Sequence, residues 1–442
     1  MRQFKMISRT TGFLLGTILL LRPGVQSSQA NLESADSLFK AGKFAEAQEF
    51  YAKALSLDPK NFQALVRLGY IALLSNRLNE AQEKLSQAVK LKPEDSTSKS
   101  LLAETFYRRD DFLQAAPLLR AIGKEAKAKQ LDSFKTAAAP YQIEGTVDVT
   151  SLKFVMTDPL PVIQVQVNGT EPVNFFIDTG GAEVIIDTEF AKEVGAAQFG
   201  TETGTFAGGK QADFEFGRVD SIKLGDFLIK NMPVHVIGVR RFSQPIFGGR
   251  RVDGIIGTVL LYHFISTLDY PRGELILRRK TGENFERFEK GGQGQKNNFV
   301  PFWMAGDHYM VAWGTVNKSQ PMLFFVDTGL AGGGFTCPES TLKEGGIELQ
   351  ETQAGEGIGG GGRVKVVPFM VEELTLGGAK EQNVRGIFSG AFPLESAFGF
   401  RIGGIISHGF FRPYALTFDF NSMRLVLKKG ESEKISGTSS YK

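Results

Sequence analysis

Two short phrases of the chain place an aspartate at the end of an apolar run. Residues 175–180 read FFIDTG and residues 324–329 read FFVDTG. Each run predicts a buried strand, and each Asp-Thr-Gly triplet predicts the turn that ends it. Two carboxylates held in contact cannot both ionise, so one keeps its proton while the other stays charged. Such a pair could take a proton from a bound water and donate a second proton to the group that the water attacks.

The two phrases belong to a longer duplication. Each triplet is followed, 76 or 77 residues later, by a Gly-Ile-Ile element, at residues 254–256 and 404–406. Residues 267–270 and 275–277 recur in the same way at residues 417–420 and 425–427. A near-constant offset of 149 to 150 over about a hundred residues indicates one structural unit used twice. Short alternating runs, hairpin signals and scarce helical periodicity predict that both halves are all-β.

The order of triplet, glycine-rich stretch and Gly-Ile-Ile element resembles that of aspartic proteases of the retropepsin and pepsin type, with two lobes in tandem over residues 146–430. The resemblance implies that Asp178 and Asp327 are catalytic and that no metal or cofactor is required. It also implies loop-supporting roles for Thr179, Gly180, Thr328, Gly329, Gly254, Ile255, Ile256, Gly404, Ile405 and Ile406. The glycine-rich stretches at residues 204–209 and 355–362 would be flaps over the substrate, represented by Phe206, Gly208, Gly209, Ile358 and Gly359.

The second half departs more from the family pattern than the first. Leu330 follows its triplet, and Ser407 stands where the first half has Gly257. Three consecutive glycines at residues 332–334 make this stretch unusually loose for a catalytic loop. Phe206 is the only aromatic residue in either flap stretch. We therefore expect an endopeptidase acting on peptides or proteins, with two alternatives. One is a non-catalytic scaffold that binds peptides. The other is that each lobe pairs with a lobe of another molecule, whereas a self-contained pair predicts an active monomer.

Residues 31 to about 130 show a period of 34. Small residues and a proline recur in register, and Gly42, Asn76 and Asp110 hold one slot of the repeat. The pattern resembles the tetratricopeptide repeat, in which two helices form each unit. The resemblance implies a groove that binds a protein partner. An array that only caps or spaces the following domain is the equally weighted alternative.

The N-terminus predicts an exported protein. Residues 1–30 combine basic residues, a short apolar run and a small-residue cleavage site, as a signal peptide does. An uncleaved N-terminal anchor is the alternative. No later stretch is long and apolar enough to span a membrane. Without residues 1–30 the formal net charge falls from +3 to −1, so no nucleic-acid partner is expected. The single cysteine, Cys337, favours the bacterial periplasm or another extracellular location without disulfides.

The predicted chain is thus multidomain, with a helical repeat array followed by an all-β, two-lobed fold of the acid-protease type. The expected segments are a signal peptide (1–30), the repeats (31–130), a linker (131–145), the first lobe (146–282), an inter-lobe linker (283–297), the second lobe (298–430) and a disordered tail (431–442). The four histidines, at positions 235, 263, 308 and 408, lack metal-ligand spacing and are interpreted as turn or surface residues.

Overall fold

The computed structural model describes residues 23–291 and 298–430. Most of the predicted signal peptide, half of the inter-lobe linker and the C-terminal tail lie outside these residues. Within the described ranges, no helix has both the length and the apolar character needed to cross a membrane.

The N-terminal part is an array of helix pairs. Its helices are α1 (Pro23–Lys40), α2 (Phe44–Leu57), α3 (Phe62–Leu74), α4 (Leu78–Leu91), α5 (Ser96–Tyr107), α6 (Phe112–Ala121) and α7 (Glu125–Asp132), followed by a 3₁₀ turn (Ser133–Lys135). Side chains of Asn61 and Asp95 cap α3 and α5 by accepting hydrogen bonds from backbone N–H groups. Gly69 lets α3 and α4 approach closely, because a Cβ there would lie 2.6 Å from Leu85.

The first lobe comprises eleven strands. They are β1 (Gln142–Glu144), β2 (Val149–Lys153), β3 (Val162–Val167), β4 (Val173–Ile177), β5 (Val184–Asp187), β6 (Ala197–Thr205), β7 (Gln211–Leu224), β8 (Phe227–Ile237), β9 (Gly254–Ile256), β10 (Phe264–Asp269) and β11 (Glu274–Arg279). Short helices join some of them: α8 (Thr188–Glu193), α9 (Val239–Ile246), α10 (Thr258–Tyr262) and α11 (Gly282–Gly291), with a 3₁₀ turn at Ala207–Gly209.

The second lobe repeats this plan. Its strands are β12 (Asn298–Ala305), β13 (Tyr309–Val316), β14 (Met322–Val326), β15 (Phe335–Thr336), β16 (Gly355–Gly359), β17 (Gly362–Leu376), β18 (Ala379–Phe388), β19 (Gly404–Ile406), β20 (Tyr414–Asp419) and β21 (Arg424–Lys429). Its helices are α12 (Glu339–Glu344), α13 (Leu394–Phe398) and α14 (His408–Phe411), with a 3₁₀ turn at Glu351–Gln353.

The topology of the lobes shows the duplication directly. β4 runs parallel to β9 in the first lobe, and β14 runs parallel to β19 in the second, with the same register. The lobes join where β10 pairs antiparallel with β20. At the centre of that junction Thr267 faces Thr417, its repeat equivalent, and their hydroxyl oxygens are 2.8 Å apart. The predicted class, a helical array followed by a two-lobed β fold, is confirmed.

The turns between paired helices of the array lie against the β lobes. The recurring slot at Gly42, Asn76 and Asp110 has positive φ in all three repeats, as a tight turn requires. A Cβ at Gly42 would lie 2.5 Å from Leu323. The amide of Asn76 donates to the Phe420 carbonyl at 3.2 Å. The Asp110 carboxylate lies 3.1 Å from His263 Nε2.

Apolar contacts bind the array to both lobes. Phe39 and Phe44 pack edge-on against Phe400 of the second lobe, and Phe44 also packs edge-on against Trp303. At the other end of the array, residues of α6 and α7 share a core with strands of the first lobe. The array therefore straddles both lobes, and its turn surface is covered by its own chain.

Two segments expected to be linkers contain regular structure. Within residues 131–145, β1 pairs with β8 and extends the sheet of the first lobe. Within residues 283–297, α11 occupies the described part. The composition of these segments does not reveal this, because an edge strand of three residues is defined by the partner strand to which it bonds.

Candidate active site

The two Asp-Thr-Gly triplets begin loops at the ends of buried strands. β4 ends at Ile177 and β14 ends at Val326, and both strands are enclosed by their lobes. The neighbouring Gly-Ile-Ile strands hold each aspartate, since Asp178 N–H donates to Ile256 and Asp327 N–H donates to Ile406. The glycine of each supporting strand is needed for space, because a Cβ at Gly254 would lie 2.4 Å from the ring of Phe175. The backbone thus fixes where each carboxylate leaves its strand.

The two loops meet and bond to each other through their threonines. Thr179 N–H donates to Thr328 Oγ1, and Thr328 N–H donates to Thr179 Oγ1, both at 3.0 Å. The Thr179 hydroxyl also donates to the carbonyl of Val326 at 3.2 Å. Both threonines are fully buried. These exchanged hydrogen bonds couple the position of one loop to that of the other.

Each catalytic candidate lies over the glycine of the opposite triplet. A Cβ built on Gly180 would lie 2.5 to 2.7 Å from the carboxyl atoms of Asp327. A Cβ built on Gly329 would lie 2.1 to 2.3 Å from those of Asp178. The two carboxyl groups are close enough for each to affect the pKa of the other. Gly180 and Gly329 also donate their own N–H groups, at 2.8 and 2.7 Å, to the aspartate of the same triplet.

The pKa values of the two aspartates are both raised, but not equally. Burial raises the pKa of Asp178 well above its usual range, and the neighbouring charge of Asp327 raises it further. Burial also raises the pKa of Asp327, while hydrogen bonds from Asp178 and from the Gly329 backbone, together with the charge of His308, oppose the increase. The pair therefore favours a state in which the two carboxyl groups hold one proton between them.

A side chain that the family pattern lacks supports the second loop. The Ser407 hydroxyl oxygen accepts a hydrogen bond from the Leu330 N–H at 3.0 Å. In the first lobe Gly257 leaves no space at that position, since a Cβ there would lie 2.4 Å from the carbonyl oxygens of Ala182 and Glu183. The loop after Asp327 is longer than the loop after Asp178 and leaves space for the Ser407 side chain. The Ser407 hydroxyl then stabilises the first turn of that loop.

The five flap candidates lie on two hairpins whose tips meet. The β6–β7 tip carries Phe206, Gly208 and Gly209, and the β16–β17 hairpin carries Ile358 and Gly359. A Cβ on Gly360 would lie 2.5 Å from the Phe206 ring, and a Cβ on Gly208 would lie 2.6 Å from Val364. The side chains of Phe206 and Ile358 pack against one apolar cluster together with Ala331, four residues beyond Asp327. The glycines therefore let the two hairpins interlock over this cluster.

The interpretation of the histidines as turn or surface residues is wrong for His235 and His408, whereas His263 and His308 do lie in turns. None of the four is a surface residue. His408 is 3% exposed and His308 is 8% exposed. His235 and His263 are partly covered, with side-chain exposures of 15% and 13%. Partners distant in sequence bury them, including Asp158 for His408 and Asp110 for His263. Cys337 is a buried free cysteine, and burial raises the pKa of its thiol to about 12.

Sequence reasoning missed two acidic residues beside the site. Glu183, at the end of the first loop, is fully buried, and Asp307 lies in the turn before β13. Asp307 accepts a hydrogen bond from His308 Nδ1 at 2.7 Å. For each of these residues the sequence shows only a carboxylate near the start of a predicted strand. This pattern is too common to indicate a site.

Comparison with known families agrees with this geometry. Residues 163–260 and 312–393 match the family described as aspartyl protease. Residues 38–105 match the tetratricopeptide repeat. No curated protein matches the chain significantly. Both resemblances expected from the sequence are confirmed.

Proposed function

We propose that this protein is an aspartic endopeptidase whose site is formed by Asp178 and Asp327 of one chain. The observation that carries the proposal is the contact of each carboxyl group with the glycine of the opposite triplet. That contact supports a pair of acidic groups that act on one bound water, as general acid–base hydrolysis requires. The matched aspartyl protease family supports the same reaction class.

The unequal environments suggest separate roles. Asp327, in its ionised form, takes a proton from the water, whose oxygen then bonds to the peptide carbonyl carbon. Asp178 donates its proton to the carbonyl oxygen, so the tetrahedral intermediate carries no net charge. Asp327 then passes the proton that it took from the water to the amide nitrogen, while a hydroxyl of the intermediate returns a proton to Asp178. The C–N bond breaks, and the products are a carboxylic acid and an amine. The threonine bonds between the loops keep both carboxyl groups in place throughout.

The flaps indicate how a polypeptide would be held. Their tips interlock through glycines, so they must separate before a chain enters and can close again over it. An extended substrate could then bond its backbone to the hairpin strands, as in strand addition. This arrangement favours peptides or unfolded segments over small esters or amides.

The test is hydrolysis of denatured casein and of a mixed peptide library by the full chain, from acidic to neutral pH. Asp178→Asn and Asp327→Asn should each lower kcat by at least about 10²-fold, because each removes one proton-transfer group. Asp220→Asn, at an exposed position of the first lobe, is the matched control and should leave the rate unchanged. Full activity in either site variant would exclude the paired-carboxylate mechanism.

A non-catalytic peptide-binding scaffold is the alternative, and the departures of the second lobe motivated it. Ser407 weakens that argument, since its hydroxyl compensates for the loose loop after Leu330. Pepstatin distinguishes the two, because an intact pair of carboxyl groups should bind this transition-state analogue tightly. Peptide binding without hydrolysis and without pepstatin affinity would favour the scaffold.

We also propose that the protein acts as a monomer and is exported to the bacterial periplasm or beyond. Both loops and their threonine bonds belong to one chain, which supports the monomer. The N-terminal sequence pattern supports export. Sizing the active species and determining the N-terminal residue of the mature protein would test these two proposals.

A further inference from the structure

The lobes contact each other beside the active site through two turns that correspond in the duplication. Asp158 lies four residues before Val162, and Asp307 lies four residues before Val311. Each valine pairs with the strand that ends at a triplet. The two aspartates thus occupy equivalent turns, one in each lobe, but only Asp158 contacts the opposite lobe directly.

On one side the contact is direct. Asp158 of the first lobe pairs with His408, at 3.3 Å, and with Arg412, both of the second lobe. Of these two residues Arg412 carries the positive charge, because burial lowers the pKa of His408 to about 4. Counted from the Gly-Ile-Ile elements, the first-lobe equivalents of His408 and Arg412 are Thr258 and Tyr262. Neither can carry a positive charge, so the first lobe has no cation of its own at these positions to receive Asp307.

On the other side a lysine of the repeat array supplies the missing charge. Lys127 of α7 lies 3.4 Å from Asp307 of the second lobe and 3.9 Å from Glu183 of the first lobe. Its ammonium group also lies 4.2 Å from the centre of the Tyr107 ring. Burial by itself would raise the pKa of Asp307, but the charge of Lys127 and the hydrogen bond from His308 hold that pKa well below its usual range.

Glu183 connects this lysine to the first catalytic loop. Its carboxylate is fully buried and accepts hydrogen bonds from the Tyr107 hydroxyl at 2.5 Å and from the Gln130 amide at 3.3 Å. Tyr107 and Gln130 both belong to the array. Glu183 is the last residue of the loop that begins at Asp178, and the backbone N–H groups of Thr258 and Val259 hold the middle of that loop. The array therefore fixes the far end of the loop.

Asp307 connects the same lysine to the second catalytic loop. It accepts from His308, whose ring packs on Tyr309 with centroids 3.7 Å apart. Tyr309 in turn packs on Phe325, two residues before Asp327, with centroids 5.0 Å apart. A continuous set of contacts thus runs from the array to each aspartate.

We propose that Lys127 is a positioning residue that replaces a cation missing from the first lobe, and that the repeat array is thereby a permanent third part of the catalytic unit. In this role the array holds the two lobes in the relative position that aligns their carboxyl groups. The proposal rests on the proposed peptidase function, and its test includes a measurement that does not need activity.

The kinetic test compares Lys127→Met with Lys129→Met in the full chain. Lys129 lies on the same helix and is 59% exposed, so its replacement should change nothing. Lys127→Met should lower kcat about 10- to 100-fold with little change in KM, because small misalignments of catalytic groups have effects of this size. The pepstatin inhibition constant should rise in parallel, and Lys127→Arg should retain more activity than Lys127→Met. A kcat for Lys127→Met within twofold of the unmodified protein would overturn the proposal.

A second variant and a hydrogen-exchange measurement test the positioning role even if Lys127→Met does not fold. If Lys127→Met does not fold, Tyr107→Phe removes only the hydroxyl that donates to Glu183 and should lower kcat severalfold; an unchanged kcat would overturn the proposal. Backbone hydrogen exchange over residues 178–183 should be faster in Lys127→Met or Tyr107→Phe than in Lys129→Met. If the unmodified protein is inactive, the proposed peptidase function is excluded but the positioning role is not. If hydrogen exchange is equal in all variants, the positioning role is excluded.

Discussion

At the scale of single residues, two aspartates with the same local sequence differ in what surrounds them. The charge of His308 and the hydrogen bond from Asp178 oppose the rise in the pKa of Asp327. For Asp178, the backbone N–H groups of Gly180 and Gly181 are the opposing contributions, and the charge of Asp327 adds to the rise. The duplication is therefore broken electrostatically at the position where the proposed hydrolysis would need an acid and a base.

The raised pKa of Asp178 makes a prediction about stability. Between the pKa of an unfolded aspartate, about 3.9, and the raised pKa of folded Asp178, the folded protein binds more protons than the unfolded chain. The free energy of unfolding should therefore fall as the pH rises through this window. Asp178→Asn has no charge to bury at this position, so its free energy of unfolding should decrease less as the pH rises. Above the window, the variant should therefore be more stable than the unmodified protein. Urea unfolding at several pH values measures this, and parallel curves would contradict it.

Asp307 predicts the opposite sign. Its pKa is lowered by Lys127 and His308, so its ionised form stabilises the fold above the unfolded pKa, and that stabilisation is lost as the pH falls. Asp307→Asn should lower the free energy of unfolding at neutral pH by about 3 kcal/mol, the cost of breaking a buried ion pair. The difference from the unmodified protein should shrink in acid. A variant as stable as the unmodified protein at neutral pH would show that the pair contributes nothing.

At the scale of elements, the two flap hairpins interlock because glycines stand at their tips. The ring of Phe206 from the first hairpin occupies the space that a side chain at Gly360 of the second would fill. A flap closure that depends on this fit is sensitive to a single methyl group.

Gly360→Ala should therefore hinder closure. Overpacking of about 1.4 kcal/mol corresponds to a tenfold loss, so we expect kcat/KM to fall about tenfold, mainly through KM. Phe206→Leu should restore much of the loss in the double variant, since it makes room for the methyl group. Gly355→Ala, at the open end of the same hairpin, is the control because no atom lies within 4 Å of the added Cβ. Equal effects of Gly355→Ala and Gly360→Ala would exclude the interlocking explanation.

At the scale of the whole molecule, the repeat array and the lobes share their cores. Phe44 is 1% exposed and packs on Phe39 within the array and on Trp303 and Phe400 of the second lobe. Arg108, directly after α5, adds a polar connection by donating to the carbonyls of Leu73 in the array and Met304 in the second lobe. This shared packing opposes movement of the array independent of the lobes.

This arrangement predicts that array and lobes unfold together. Phe44→Ala should lower the free energy of unfolding by about 3–5 kcal/mol, as expected for a buried phenylalanine. The loss of helical circular dichroism and of peptidase activity should shift to lower temperature together. Phe50→Ala, on the same helix at a position that is 37% exposed, should change the stability by less than about 0.5 kcal/mol. Separate transitions for the two signals would show that the parts are independent.

The sequence by itself determined the two triplets, the duplicated β unit and the 34-residue helical period. These features are local or strictly periodic: a buried strand must be apolar, a tight turn needs glycine, and a repeat recurs at a constant offset. The expectation that Asp178 and Asp327 form one pair followed from the duplication together with the resemblance to two-lobed aspartic proteases. The positions of Phe206 and of the glycines likewise marked the flap hairpins.

Only the tertiary structure decided how the array relates to the lobes and which charges surround the site. Lys127, Glu183 and Asp307 lie in three different parts of the chain, and nothing in their local sequence indicates that they meet. The burial of His308 and His408 was missed for the same reason. A charged residue is exposed by default, and only partners brought together by folding can compensate the cost of burying it.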